Sequence, residues 1–335
     1  MNDQADNLRM AIKKLKNASL PNAEFGSQFE TQPQIHIQIP TQTQARFQPK
    51  SPPQLQPQRM IRPAKVFTVT SGKGGVGKTN ISINLAIALC DMGYRVAVLD
   101  ADFGLANVEV LIGAIPKYTL LDVIRNERSI ADILCEGPRG VRFISGGSGV
   151  EEIIRLGNDQ ITSLIANIAV IDNEFDIIII DTGAGISDTV LGMSLAADEI
   201  ILVTTPEPTS ITDAYALMKT VVQRDRGKLI RIIVNRADTE NEAIDILGKL
   251  SQVSLKFLDL EVSKLGYIPN DSTIIKSVKK QIPFIIGFPN SQCSKNLREI
   301  ARKMAEGDWL QEEKQGKGLS GFISRISKIF NMQTK

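Results

Sequence analysis

The chain has 335 residues, 42% of them hydrophobic, with 39 Lys and Arg against 37 Asp and Glu. That length and apolar content suit one sizeable α/β core with appended tails, and so even a charge balance supplies no global field for nucleic acid. Three dispersed cysteines without a C-x-x-C pair and a single histidine, His36, argue against a disulfide framework and against histidine-based catalysis or metal ligation.

Residues 1–20 place Ala5, Leu8, Ile12 and Leu15 at steps of three and four behind Asp3, which suits an N-cap, so the spacing predicts a short amphipathic helix. Residues 21–63 lose that periodicity and become rich in Gln and Pro. Such a composition buries too little apolar surface to offset ordering entropy, and a flexible linker is expected. The N-terminus lacks the basic and apolar runs of an export signal, and no run reaches the ~18 apolar residues of a membrane span; a cytoplasmic protein is expected.

From 64 to 308, buried-strand runs at 66–70, 96–99, 177–180, 200–203 and 230–234 alternate with helix patterns. Continuous Val and Ile, rather than period-two alternation, predict parallel strands covered on both faces in one doubly wound α/β domain. Residues 309–318 are charged and contain glycine, as a second linker does. Within 319–335, Phe322, Ile323, Ile326, Ile329 and Phe330 share one helical face, with Arg325 and Lys328 on or beside the other, which predicts a separate amphipathic helix.

Residues 72–79 read Gly-Lys-Gly-Gly-Val-Gly-Lys-Thr between the first strand pattern and a helix pattern. Glycines there let backbone N–H groups turn onto phosphate oxygens, and the following helix N-terminus adds a favourable dipole. Gly74, Gly75, Val76, Gly77 and Asn80 thus frame a candidate phosphate site, with Lys78 expected at the β and γ phosphates and Thr79 at Mg2+.

With Lys73 in front, this loop is similar to the deviant Walker A motif of the MinD/ParA family, whose first lysine reaches the partner's phosphates across a nucleotide-sandwich dimer. The resemblance implies an ATPase of P-loop fold, ATP and Mg2+ as cofactors, and an ATP-dependent homodimer. Residues 98–107 resemble the family's first switch, in which Asp102 orients or activates the attacking water near the metal and Asp100 lines the nucleotide. Read without the resemblance, both aspartates suit the capping of a helix at a strand end. Residues 180–185 match the second switch, with Asp181 holding the Mg2+ shell through water and Gly183 standing where MinD usually has proline. Asn235, Arg236 and Pro269 hold positions comparable to the family's base-contacting residues, with Asp213 and Pro206 bordering them; Asn235 suits a turn equally well.

The family serves division-site placement, DNA partition, iron-sulfur assembly and flagellar placement, so the tails must choose. Residues 3–9, Asp-Gln-Ala-Asp-Asn-Leu-Arg, match the D-Q-A-x-x-L-R element of its flagellar members, an activator helix for the SRP-type GTPase FlhF. That match implies that Gln4 enters the partner's catalytic site while Leu8 docks on an apolar groove and Arg9 anchors the helix. The C-terminal helix resembles their membrane-targeting sequence, which implies that the ATP-bound dimer sits on the inner face of the cytoplasmic membrane; a helix packed on its own core is the plainer alternative. FlhF, flagellar C-ring components and that membrane are the implied partners, and no nucleic acid is expected. The expected role is control of flagellar number and placement, with MinD-like division-site or ParA-like partition functions as alternatives. Cysteines so far apart disfavour an iron-sulfur carrier.

Overall fold

Runs of β-branched residues build the sheet. In this computed structural model, residues 63–102, 107–113, 116–146, 149, 152–153, 156–306 and 318–331 are described. The predicted N-terminal helix, with Gln4, Leu8 and Arg9, lies outside them, as does nearly all of each linker. The strands are β1 (Lys65–Ser71), β2 (Val96–Ala101), β3 (Cys135–Glu136), β4 (Arg142–Ser145), β5 (Ile177–Ala184), β6 (Glu199–Thr204), β7 (Leu229–Ala237) and β8 (Ser263–Pro269). They lie in the order β3-β4-β2-β5-β1-β6-β7-β8, parallel except where β3 meets β4. All five expected strands are present, and β3, β4 and β8 extend the sheet at its edges.

The helices are α1 (Lys78–Asp91), α2 (Asn107–Ile112), α3 (Leu120–Ile124), α4 (Asn158–Ala169), α5 (Asp188–Ala196), α6 (Pro208–Arg224), α7 (Glu240–Leu258), α8 (Ser272–Lys280), α9 (Phe284–Gly287), α10 (Gln292–Ala305) and α11 (Gly318–Asn331). Successive strand residues point to opposite sides. Phe67, Ile179 and Ile201 pack with α1 and α10. Val66, Ile178 and Ile180 pack with α4 and α11, and Ile200, Leu202 and Ile232 with α6 and α7. Covering both faces is what lets the strands read as uninterrupted apolar runs.

The C-terminal helix α11 is not separate here. Leu319, Phe322, Ile323 and Ile326 are each 1% exposed, and Ile329 and Phe330 pack against the same cluster. Two fitted features hold it. Asp172, beyond the end of α4, accepts from the Leu319 N–H at 2.7 Å and the Ser320 N–H at 3.2 Å, and also from the Ser320 hydroxyl, which satisfies N–H groups that a helix start leaves orphaned. On α5, a Cβ at Gly192 would lie 2.4 Å from the Phe330 ring, so only glycine admits that contact. Arg325 adds an ion pair to Asp198 at 3.0 Å and donates to the Ala196 carbonyl. No helix of the described residues is long and apolar enough to cross a membrane.

Replacing Asp172 by Ala removes the cap, and a loss of about 1 kcal/mol is expected, read as a fall of roughly 2–4 °C in thermal midpoint. An unchanged midpoint would show that the cap does not hold α11.

Candidate functional site

The site forms where the central strand β1 is flanked by β5 and β6, the point of a doubly wound sheet at which connections diverge and leave a crevice beyond the strand ends. In the ladder, Asp181 of β5 pairs with Val69 of β1 on one side and Asp100 of β2 on the other. Asp181 therefore lies beside the loop that leaves β1 and enters α1, and Asp100 stands one strand further out. The shape of that loop depends on glycine. Gly77 has φ +95°, and a Cβ there would lie 2.5 Å from Asn235 Nδ2. A Cβ on Gly72 would come within 2.4 Å of the Asp213 backbone, so the loop lies against α6.

Asn235 proves to be a clamp on this loop. Its Nδ2 donates to the Val76 carbonyl at 2.6 Å, and its Oδ1 accepts from the Arg236 N–H at 3.0 Å. Arg236 is in the left-handed region, φ +59°, and is exposed. Pro269 ends β8 opposite Ala237, so Asn235, Arg236 and Pro269 come together at adjacent strand ends. Asn80 faces along its helix, where the Asn84 amide donates to the Asn80 carbonyl at 2.7 Å and to its side chain at 3.0 Å.

Lys78 is buried, and its ammonium donates to Ser71 Oγ at 3.1 Å. Burial lowers its pKa, with Asp181 and Asp102 acting in the opposite sense. Asp181 has no exposure; Ser82 donates to its Oδ1 at 2.9 Å and Oδ2 has no partner. Burial pushes this carboxyl up to about 7, against hydrogen bonds from Thr79 and Ser82 and the charge of Lys78. An orphaned, fully buried carboxylate oxygen beside the Thr79 hydroxyl is a hard-oxygen donor set that fits Mg2+. Asp100, also buried, is pushed up to about 6 by burial, while N–H donors from Asp102 and Val108 oppose the rise. Those donors lie at 3.1 and 3.3 Å, so one carboxylate spans the segment that carries Asp102 and caps the entry to α2. Asp100 is therefore a support for the segment that carries Asp102. A Cβ at Gly183 would stand 3.5 Å from Asp102 Oδ1, so the strand end that carries Asp181 and Gly183 lies against Asp102.

Lys73 is held within its own chain. Its ammonium donates to Glu207 and, at 2.9 Å, to Thr209 Oγ1, both at the start of α6. The lysine lowers the pKa of Glu207 through that hydrogen bond and its charge. Sequence reading singled out none of Ser71, Ser82, Glu207 or Thr209. The last two stand 134 and 136 residues from Lys73, and no spacing signals such contacts.

Comparison with known proteins agrees with this geometry. A ParA family profile, described as "NUBPL iron-transfer P-loop NTPase", matches residues 62–305. The chain is 44% identical over 245 residues to the antiactivator FleN of Pseudomonas aeruginosa, covering 73% of this chain and 87% of that protein. The chain belongs to the FlhG type of the MinD/ParA family. As a member of that family it is a P-loop ATPase. This FlhG-type chain is also 35% identical over 270 residues to the flagellum site-determining protein YlxH of Helicobacter pylori, covering 79% of this chain and 90% of that one. Its fold matches MinD of Pyrococcus horikoshii, solved with Mg-ADP, at TM-score 0.60 and 24% identity over 75% of this chain and 99% of that one.

The buried carboxylate makes a pH prediction. The Asp181 carboxyl, 3.8 in its reference state, ionises near 7 in the folded chain. Between these values the folded chain holds the extra proton, so the Asp181 contribution makes stability fall as pH rises. The Asp181→Asn protein without nucleotide should melt a few degrees higher than wild type at pH ~8 and gain little at pH ~5. Equal melting curves at both pH values would contradict the buried-charge assignment.

Proposed function

We propose that this ATPase is a nucleotide-driven dimerisation switch that regulates the number and placement of bacterial flagella and stimulates an FlhF-type GTPase through its N-terminal helix. One observation carries the reading: the Asp3-Gln4-Ala5-Asp6-Asn7-Leu8-Arg9 element precedes a Lys73-bearing phosphate loop in a chain similar to FleN and YlxH.

In the proposed cycle the loop N–H groups and Lys78 take the phosphates, releasing Lys78 from Ser71. Thr79 and Asp181 are the residues that would hold Mg2+, which would supply neutralisation of phosphate charge. Asp102 positions the hydrolytic water and Asp100 fixes the segment that carries it. Phosphoryl transfer requires positioning and charge stabilisation more than a strong base, so a carboxylate suffices. Lys73 exchanges Glu207 for the phosphates of a second copy. Asn235 and Pro269 border the base.

The same cycle gives α11 its second environment. Each fully buried Leu, Ile or Phe side chain of α11 contributes about 1.5–3 kcal/mol in the core, so release requires a lipid phase that takes over the burial. A single short helix binds lipid weakly, and two helices on one dimer raise avidity by ~10²-fold or more. ATP would thereby place the protein on the inner face of the cytoplasmic membrane, with FlhF and flagellar C-ring components as partners.

The test is a GTPase assay of an FlhF-type protein with the wild-type chain and with Gln4→Ala. Stimulation should vanish in the variant while its own ATPase stays intact. Equal stimulation by both proteins, or none by wild type, would remove the activator role and favour division-site or partition functions.

A further inference from the structure

A second amphipathic helix lies in the open. In α8 the inward side is set by Ser277, which is buried, and Ile274, which packs against the main core cluster. Asp271 caps its start by accepting from the Thr273 N–H at 2.8 Å. The outward side is unusual for a soluble surface: Ile275 is 59% exposed, Val278 40%, and Ile282, just past the helix end, 42%. Lys276, Lys279 and Lys280 stand exposed among them and make no ion pair among the described residues. Residues 272–298 contain Lys276, Lys279, Lys280, Lys295 and Arg298 and no Asp or Glu, whereas the whole chain has a net charge of only +2. This apolar patch with its lysines is the local concentration that the overall balance conceals.

We propose that α8 is a lipid-contact element that docks on anionic phospholipid headgroups. Two features of the patch select this occupant. Three partly exposed side chains supply far less than the ~800 Å² per partner that a stable protein interface buries. They are enough, however, to wedge into the headgroup boundary when long cationic side chains beside them extend their ammonium groups to the phosphates. The apolar wedge also distinguishes the patch from a nucleic-acid surface, where phosphate contacts alone supply the non-specific affinity.

This contact does not depend on the proposed release of α11, whose apolar face is buried in the core. It therefore operates in the nucleotide-free protein as a weak first contact, to which ATP adds the two α11 helices of the proposed dimer. It also lies near the end of α2: the Gln281 carbonyl oxygen is 3.7 Å from the position of a Cβ on Gly113, which directly follows that helix.

The experiment is vesicle flotation of the nucleotide-free, full-length protein. Vesicles of phosphatidylglycerol with phosphatidylcholine are compared with pure phosphatidylcholine at low and high salt. Wild type should bind the anionic vesicles, lose binding at high salt and ignore the neutral ones. A lysine near an anionic leaflet is worth about fivefold, so Lys276→Glu, Lys279→Glu and Lys280→Glu together should weaken binding by at least ~10²-fold. Ile275→Ser with Val278→Ser should weaken it several-fold, and both variants should keep wild-type ATPase activity and melting. Undiminished binding by the lysine variant would overturn the proposal, as would equal binding to neutral vesicles. Wild-type binding only with ATP would assign the contact to α11 instead. Capture of poly-L-glutamate or duplex DNA without vesicle binding would assign the patch to an acidic polypeptide or to nucleic acid.

Discussion

Asp181, a carboxylate sealed from water at the end of a central strand, governs the electrostatics around it. It is fully buried, and one of its oxygens has no partner. A buried charge is costly unless paired and hydrogen-bonded. Without nucleotide, the three buried ionisable groups of the site lean toward neutrality: Asp181 and Asp100 are pushed up, and Lys78 is pushed down. A ligand that brings phosphate charge to Lys78 and a cation to Asp181 supplies what each group lacks. Binding to the folded state then stabilises it by linkage, and burial that is unfavourable in the empty protein becomes a source of selectivity for a metal-nucleotide complex.

The surrounding contacts explain how such a site can move its neighbours. Asp100 accepts from two backbone donors around the segment that carries Asp102, and Asp102 lies against Gly183. Lys73 is attached differently, through a carboxylate whose side chain is 55% exposed. Exposed ion pairs add little to stability because water and salt screen them. The hold of Glu207 on Lys73 is thus weak enough to yield to a concentrated phosphate charge, while the loop itself stays pinned by Asn235 on Val76. A firm loop with a loosely held lysine is the arrangement that the proposed switch requires.

Much of this could be read in the sequence because the signals are local. Five strands announced themselves as Val and Ile runs that both faces bury, and the phosphate loop is a single stretch bounded by a strand and a helix. The edge strands were less visible: β3 has two residues, and β8 carries exposed Ser263 and Lys264 and a glycine, Gly266, in place of an apolar run. Long-range partners left no trace. The cap of α11 by Asp172 spans 147 residues, and the clamp of Asn235 on Val76 spans 159. Periodicity predicts an amphipathic helix within 319–335, but the same stripe serves a core or a lipid equally well. Only Gly192 and Asp172 reveal that the core has a place shaped for it. For α8 the exposure of Ile275 and Val278 is decided by tertiary packing, which a nine-residue pattern does not encode.

The proposed switch rests on ATP joining two copies through Lys73. Its most direct test is the solution mass of the Asp102→Ala protein with ATP and Mg2+, measured by light scattering alongside the Lys73→Ala, Asp102→Ala double variant. The expected result is twice the chain mass for the single variant and the monomer mass for the double variant. A single variant that remains monomeric at saturating ATP, or a double variant that dimerises equally well, would contradict the switch.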